Sequence, residues 1–106
     1  MSEAPSRVEK LLAILQSEPG DAFCLYSLGQ EHARLGQLDE AVAYYDRAIE
    51  ADPTMSYAFF HKARALEEAF DEAAAVAALR AGLEVARAQG DKKAVNELAA
   101  YLDQLT

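Results

Sequence analysis

Apolar residues recur along the chain at helical spacing, in segments separated by short polar, glycine or proline stretches. The first segment carries Val8, Leu11, Leu12 and Leu15 on one helix face, and Glu18-Pro19-Gly20 ends it. Five more helices are predicted, over about residues 22–35, 39–51, 56–69, 72–88 and 91–106. No alternating strand pattern competes with them. The loops between them are short, which favours antiparallel neighbouring helices.

Residues that favour helix ends lie between these segments. Side-chain N-caps are predicted at Ser6, at Asp21, at Asp91 and, for the fourth helix, at Thr54 or Ser56. Gly36 and Gly90 are predicted to stop the second and fifth helices.

The second and third helices repeat in the fourth and fifth. The register that carries Pro19 onto Pro53 also places large apolar residues over large ones and small over small, as in Leu25 over Phe59, Gly29 over Ala63, and Tyr45 over Leu79. The match breaks at Leu28 over Lys62, Gly36 over Phe70, and Pro53 over Arg87. A shorter rival register aligns 38–41 with 70–73. We therefore expect the second hairpin to have a tightened or irregular turn.

These residues resemble the tetratricopeptide repeat (TPR), on the stretch Leu25, Leu28-Gly29, His32, Gly36, Ala41, Tyr45, Ala48 and Pro53. The resemblance implies an all-α fold of stacked antiparallel helical hairpins, a right-handed superhelix of about two repeats plus flanking helices. It also implies one domain made of an N-terminal half-repeat helix (1–20), two repeats (22–55 and 56–89) and a C-terminal capping helix (91–106).

The TPR family binds peptides or partner helices on the concave face that the first helices of its repeats form. The resemblance therefore implies a protein–protein interaction module with an aromatic groove. Matching to the family pattern predicts the partner-binding residues Phe23, Tyr26, Gln30, Tyr57, Phe60, His61, Arg64 and Glu67.

Composition and charge narrow the class of partner. The net charge is −8, and ten basic residues are scattered among eighteen acidic ones, so nucleic acid and anionic membranes are not expected partners.

The single Cys24 excludes an internal disulfide. With no signal-peptide pattern and no membrane-length apolar run, a cytoplasmic location is expected.

The candidate chemistry is sparse. His32 and His61 lack Cys or Glu partners at metal-ligand spacing, and Cys24 lacks a matched His and acid. The acidic residues Glu67, Glu68, Asp71 and Glu72 are typical of a solvated turn and a helix N-terminus. We therefore expect a non-enzymatic protein with no cofactor and no metal site.

Self-association is the alternative function. Lys62, Phe70 and the missing proline make the second repeat a poor template for further stacking, and a homodimer would instead bury this repeat or the end helix. Tyr44 and Tyr101, if both face outward, are candidates for such a self-association surface.

Overall fold

The computed structural model describes residues 6–106, which form six α-helices. These are α1 Arg7–Ser17, α2 Ala22–Arg34, α3 Leu38–Ala51, α4 Ser56–Glu68, α5 Glu72–Gln89 and α6 Lys92–Leu105. Each helix packs on the next, and α4 also contacts α2 and α6. The result is an elongated stack of 50 × 29 × 19 Å, with α2–α3 and α4–α5 as its hairpins. The all-α fold of stacked helical hairpins is thus confirmed. Residues 1–5 of the predicted N-terminal half-repeat lie outside the described residues.

Three of the four predicted N-caps are confirmed. Ser6 accepts a hydrogen bond from the Glu9 N–H at 3.1 Å, and Asp21 and Asp91 accept from Cys24 and Ala94 at 2.9 and 3.1 Å.

The fourth predicted N-cap is wrong. Met55 is the N-cap residue of α4 and makes no side-chain cap, while Ser56 already lies inside the helix. The Thr54 hydroxyl instead donates to Asp52 Oδ1 at 2.6 Å, so it is committed to the preceding turn. Because that turn holds Thr54, the hydroxyl does not cap the first N–H groups of α4.

The expectation of an irregular second turn is also wrong. In the first hairpin Gly36 N–H donates to Ala33 and Gln37 N–H to His32; at the equivalent positions of the second, Phe70 N–H donates to Glu67 and Asp71 N–H to Leu66. The φ angles are 77° at Gly36 and 63° at Phe70, so both turns use the left-handed region. The register that aligns Pro19 with Pro53 therefore continues through the turn, and the shorter rival register is excluded. Phe70 adopts a conformation that ordinarily favours glycine.

In each hairpin one aromatic side chain packs closely against a glycine of the neighbouring helix. Tyr45 on α3 is 1% exposed, and a Cβ added to Gly29 on α2 would lie 2.5 Å from its ring. In the second hairpin the glycine lies on the second helix and the aromatic residue on the first. A Cβ on Gly82 of α5 would lie 2.6 Å from Phe59 Cβ on α4. Each hairpin thus matches one large side chain with one missing side chain, which keeps packing dense.

Other departures from the repeat are absorbed locally. Lys62 Nζ lies 2.6 Å from Asp46 Oδ1, an ion pair that joins α4 to α3. His32 stacks on Tyr44 with ring centroids 5.2 Å apart and 11° between planes.

The prediction of an outward Tyr44–Tyr101 surface is wrong. Tyr101 is only 8% exposed and belongs to the core around α5 and α6. Tyr44 is half-buried, because its ring covers the cluster of Leu11, Cys24 and Leu28. Neither ring presents the free surface that self-association through them would need.

Candidate functional site

Helices α2, α4 and α6 form one face of the stack, which we call the α2–α4–α6 face. Three clefts open on it, and every residue predicted to contact a partner lines at least one of them. The first cleft is lined by Phe23, Tyr26 and Tyr57. The second is lined by Gln30, His61 and Arg64, and the third by Phe60, Arg64 and Glu67. The sequence pattern therefore brings these eight residues to a single surface.

The first cleft lies where α2 and α4 begin, and it has a volume of about 360 Å³. Its lining includes Phe23, a large apolar side chain that is 68% exposed. The half-buried Tyr26 and Tyr57 line it together with Met55. An exposed phenylalanine next to half-buried rings offers apolar area that is still in contact with water.

A continuous row of aromatic rings crosses the face from α2 to α6. The ring centroids of Tyr26 and His61 lie 5.5 Å apart, as do those of His61 and Phe60, and Phe60 lies 5.2 Å from Tyr101. Phe23 extends the row, 6.3 Å from Tyr26. Most of these pairs are tilted or edge-to-face, the arrangements that aromatic rings prefer. The rings hold one another in place and present a preformed surface.

His61 lies at the centre of this row. Burial, and secondarily the Arg64 guanidinium, lower the pKa of His61 below its ordinary value of 6.5. The imidazole is therefore neutral near pH 7. Burial also raises the pKa of Tyr26 and Tyr57, whose phenols stay protonated and can donate hydrogen bonds.

The second cleft lies between the last turns of α2 and α4 and has a volume of about 270 Å³. Tyr45 and His61 form apolar parts of its lining, and Gln30 Nε2 donates to Tyr26 OH at 3.2 Å. Arg34 is held by Glu31 at 2.9 Å. Arg64, by contrast, is exposed and takes part in none of the ion pairs among residues 6–106. It is the cation on this face that is free to meet a partner.

The third cleft, between α4 and α6, is the largest, with a volume of about 490 Å³. Phe60 and Tyr101 supply its rings, and the Tyr101 hydroxyl donates to Glu67 Oε1 at 2.5 Å. Burial, and then this hydrogen bond, raise the pKa of Tyr101. Glu67, which the sequence assigned to a partner, is thus already engaged in joining α4 to α6.

Sequence reasoning missed the residues that α6 contributes to this cleft, which are Glu97, Ala100, Tyr101 and Gln104. The step from the start of α2 at Ala22 to the start of α4 at Ser56, taken once more, reaches Gly90, but α6 begins only at Lys92. The register slips by two residues because α5 has 18 residues where α3 has 14, while only two residues precede α6 where four precede α4. Tyr101 nevertheless lies 34 residues after Glu67, the residue it contacts, and this spacing was the signal that was available.

The described residues also bear on metal and thiol chemistry. Among residues 6–106 no group of three or more His, Cys, Asp or Glu side chains is placed to hold a metal ion. Cys24 is 3% exposed, and burial raises the pKa of its thiol, so the thiolate needed for nucleophilic attack is disfavoured. No helix in the described part of the chain is long and apolar enough to cross a membrane.

The hairpin stack and its face define a member of a helical-repeat class. The family model described as tetratricopeptide repeat matches residues 22–55, the α2–α3 hairpin with its flanking turns. A TPR repeat-containing protein of Pseudomonas aeruginosa is 30% identical to this chain over 98 residues, which cover 92% of this chain and 93% of the relative. The chain belongs to the tetratricopeptide repeat family.

Solved structures agree with this assignment. A Bordetella parapertussis protein, known from its solution structure, is 30% identical and has a TM-score of 0.83, covering 96% of this chain and 89% of its own. Two complexes share the fold at lower identity. The TPR2B domain of yeast Sti1 with pHsp70 has a TM-score of 0.86 at 23% identity, covering 92% and 78% of the two chains. PcrH in complex with the chaperone binding region of PopD has a TM-score of 0.87 at 20% identity. The match covers 92% of this chain and 74% of PcrH.

Proposed function

We propose that the chain is a non-enzymatic protein–protein interaction module that binds an extended peptide or a partner helix on its α2–α4–α6 face. The observation that carries this proposal is the continuous row of rings from Phe23 to Tyr101, flanked by three clefts. Aromatic side chains concentrate binding energy because they bury a large area at low cost in rotamer entropy.

Each cleft has its own part in recognition. The first cleft receives an apolar side chain of the partner, which covers the exposed Phe23 ring. Arg64, lying between the second and third clefts, orients the partner through a hydrogen bond to a backbone carbonyl or an acid. Because the rings pack on one another before the partner arrives, little ordering free energy opposes binding.

Two kinds of observation support this assignment. The fold is one in which solved complexes hold pHsp70 and the chaperone binding region of PopD. The face also presents Phe23, a phenylalanine that packing of the monomer leaves 68% exposed. We infer that it acts in the cytoplasm, in keeping with a single cysteine that is buried and protonated.

Selection from a displayed random-peptide library against the immobilised full chain tests the proposal. Selected peptides are then titrated into isotopically labelled protein, and the shifted backbone amides are mapped by NMR. We expect the largest shifts on α2, α4 and α6. Shifts confined to α3 and α5 would place binding on the opposite surface and contradict the proposal.

The matched variants are chosen to spare the fold. Phe23→Ala removes an exposed ring, and Ala100→Glu places a charge in the third cleft at an exposed helical position. Each is expected to weaken the selected peptides at least tenfold, equivalent to about 1.4 kcal/mol. Leu12→Ala, which removes a 41% exposed side chain from α1, is the control that leaves affinity unchanged.

A further inference from the structure

Phe70 is the most exposed large apolar side chain among those described, at 96% exposure, and it occupies a turn position where the first hairpin has Gly36. The two turns make the same backbone hydrogen bonds. The fold therefore has no need of an aromatic residue at this position. A ring that packs on nothing within its own chain is available to another molecule.

Next to Phe70 lies an apolar groove on the surface opposite the α2–α4–α6 face. In the described chain α3 and α5 do not contact each other, and the gap between them is a groove of about 420 Å³. We call it the α3–α5 groove. Its apolar lining includes Val42 on α3, Phe59 and Leu66 on α4, and Ala77 and Ala81 on α5. The Lys62–Asp46 ion pair between α4 and α3 also lines it. The side chains on α5 are small, so the groove is open enough to receive a ring.

The exposed ring and the groove adjoin each other. Leu66 and Ala74, each four residues from Phe70 along the chain, both line the groove. A two-fold axis at this end of α5 would therefore let each of two copies insert its ring into the groove of the other. Such an arrangement is isologous: it is closed, and both contacts are made at once.

The charges are complementary in the same arrangement. Asp71 and Glu72 follow Phe70 directly, and Asp71 is committed to capping α5. Arg80 lies on α5 between Ala77 and Ala81, is exposed, and takes part in none of the ion pairs within residues 6–106. An inserted Phe70 would carry the neighbouring Glu72 carboxylate towards the partner's groove. The Lys62 cation in the lining is already paired with Asp46, which leaves Arg80 on the adjoining surface of α5 to meet Glu72.

We propose that two copies of this chain form a homodimer in which Phe70 of each inserts into the α3–α5 groove of the other. The sequence left self-association open as an alternative function. The proposed dimer uses a different surface from the one that Tyr44 and Tyr101 would have formed. The inference does not rest on peptide binding by the α2–α4–α6 face, which remains open to solvent in such a dimer.

Sedimentation equilibrium of the full chain, from about 1 μM to about 1 mM, tests the proposal. We expect the wild type to pass from monomer to dimer in this range. Phe70→Gly, which keeps the turn, is expected to raise the dimer dissociation constant at least 100-fold, because each dimer loses the ring twice. Ala77→Glu, a charge at an exposed helical position inside the groove, is expected to do the same. Leu35→Ala, at the end of α2 in the first hairpin, is the control that leaves the dimer intact.

A charge exchange separates direct contact from a general loss of stability. Arg80→Glu is expected to weaken the dimer about tenfold, and adding Glu72→Arg to the same chain is expected to restore it.

Three results would overturn the inference: a wild type that stays monomeric throughout, a dimer that survives Phe70→Gly or Ala77→Glu, or a charge exchange that fails to restore it. A dimer lost on Phe23→Ala but kept by Phe70→Gly would place self-association on the α2–α4–α6 face and equally exclude the groove. None of these results bears on whether that face binds selected peptides, so the two proposals fail separately.

Discussion

The glycine–ring pairs between the helices make a quantitative prediction about stability. Gly29→Ala adds a methyl group to α2 whose carbon would lie 2.5 Å from Tyr45 Cε1, where ordinary contact begins at 3.4 Å. The three nearest atoms all belong to the Tyr45 ring. Since that ring is 1% exposed and packed on all sides, the ring or the helix pair must move by about 0.9 Å to relieve the overlap.

Two opposing terms set the size of the effect. Overpacking of a dense core costs about 1–3 kcal/mol. Replacing glycine by alanine inside a helix returns about 0.5–1 kcal/mol. The net loss expected for Gly29→Ala therefore lies between about 0 and about 2.5 kcal/mol of unfolding free energy, with a central value of about 1 kcal/mol. For a chain of this size that loss lowers Tm by several degrees.

The second hairpin supplies the compensating substitution. There the equivalent positions are Ala63 and Leu79, both 0% exposed, so an alanine is accommodated opposite a leucine. Tyr45→Leu alone is expected to destabilise the chain, because it leaves a cavity beside Gly29. In the Tyr45→Leu background, however, Gly29→Ala is expected to stabilise by about 0.5–1 kcal/mol, since the methyl group then fills space and favours the helix. The effect of Gly29→Ala on the free energy of unfolding thus changes sign with the residue that faces it.

Urea denaturation of the four chains, followed by circular dichroism, gives the double-mutant cycle directly. We expect a coupling free energy of about 1–3 kcal/mol. If Gly29→Ala has the same sign and size with tyrosine and with leucine opposite it, the close approach does not limit packing, and our account of the glycine is wrong. Gly36→Ala does not serve in place of Gly29→Ala, because a Cβ at Gly36 meets nothing within 4 Å.

Three further effects follow from the same contacts. Phe70→Gly is expected to raise the urea midpoint, because it relieves about 1–2 kcal/mol of left-handed backbone strain at a cost of about 0.5–1 kcal/mol in unfolded-chain entropy. Gly36→Ala, which introduces the same strain, is expected to lower the midpoint. Shifts of the two midpoints in the same direction would refute the strain argument. Because the pKa of His61 is lowered in the folded chain, the neutral ring contributes fully to the free energy of unfolding above about pH 6.5. This contribution is lost as pH falls below that value. The wild type is therefore expected to lose stability relative to His61→Gln between about pH 7 and pH 5 in urea titrations, and a constant difference would count against burial of the neutral ring. Ser27→Ala is expected to stabilise by about 1 kcal/mol, because the Ser27 hydroxyl is buried with no hydrogen-bond partner within residues 6–106, and a loss would reveal a bond to water.

The helices and hairpin pairing followed from the sequence because each depends on short-range signals. Apolar spacing fixed the helix faces, and Asp21 and Asp91 fixed two of the starts by hydrogen bonds within one turn. The turn at Phe70 was mispredicted because the expectation relied on residue type. The backbone hydrogen bonds to Leu66 and Glu67 hold that turn whatever side chain occupies it.

The candidate face could be predicted only in part, because α6 enters it through long-range packing. The longer α5 and the shorter connection after it together shift the register by two residues, so a fixed period does not carry the α4 pattern onto Glu97 and Ala100. The Tyr101 hydroxyl meets Glu67 from another helix, a contact that helical periodicity within one segment does not encode. Whether the eight predicted residues bind a partner stays a prediction.

The departures from the repeat pattern divide into two kinds, and the division bears on function. Some are compensated inside the chain: His32 stacks on Tyr44, and Lys62 fits because Asp46 neutralises it. Phe70 in the place of Gly36 has no compensation, because it is 96% exposed in a strained conformation. Phe23 keeps the aromatic character of its repeat position, yet it too remains 68% exposed. A compensated departure is explained by stability alone. An uncompensated one lowers the stability or solubility of the monomer and returns nothing to it, so its benefit has to come from another molecule. Since Phe23 and Phe70 lie beside clefts on opposite surfaces, the chain has two separate places where that benefit can arise, one on the α2–α4–α6 face and one at the α3–α5 groove.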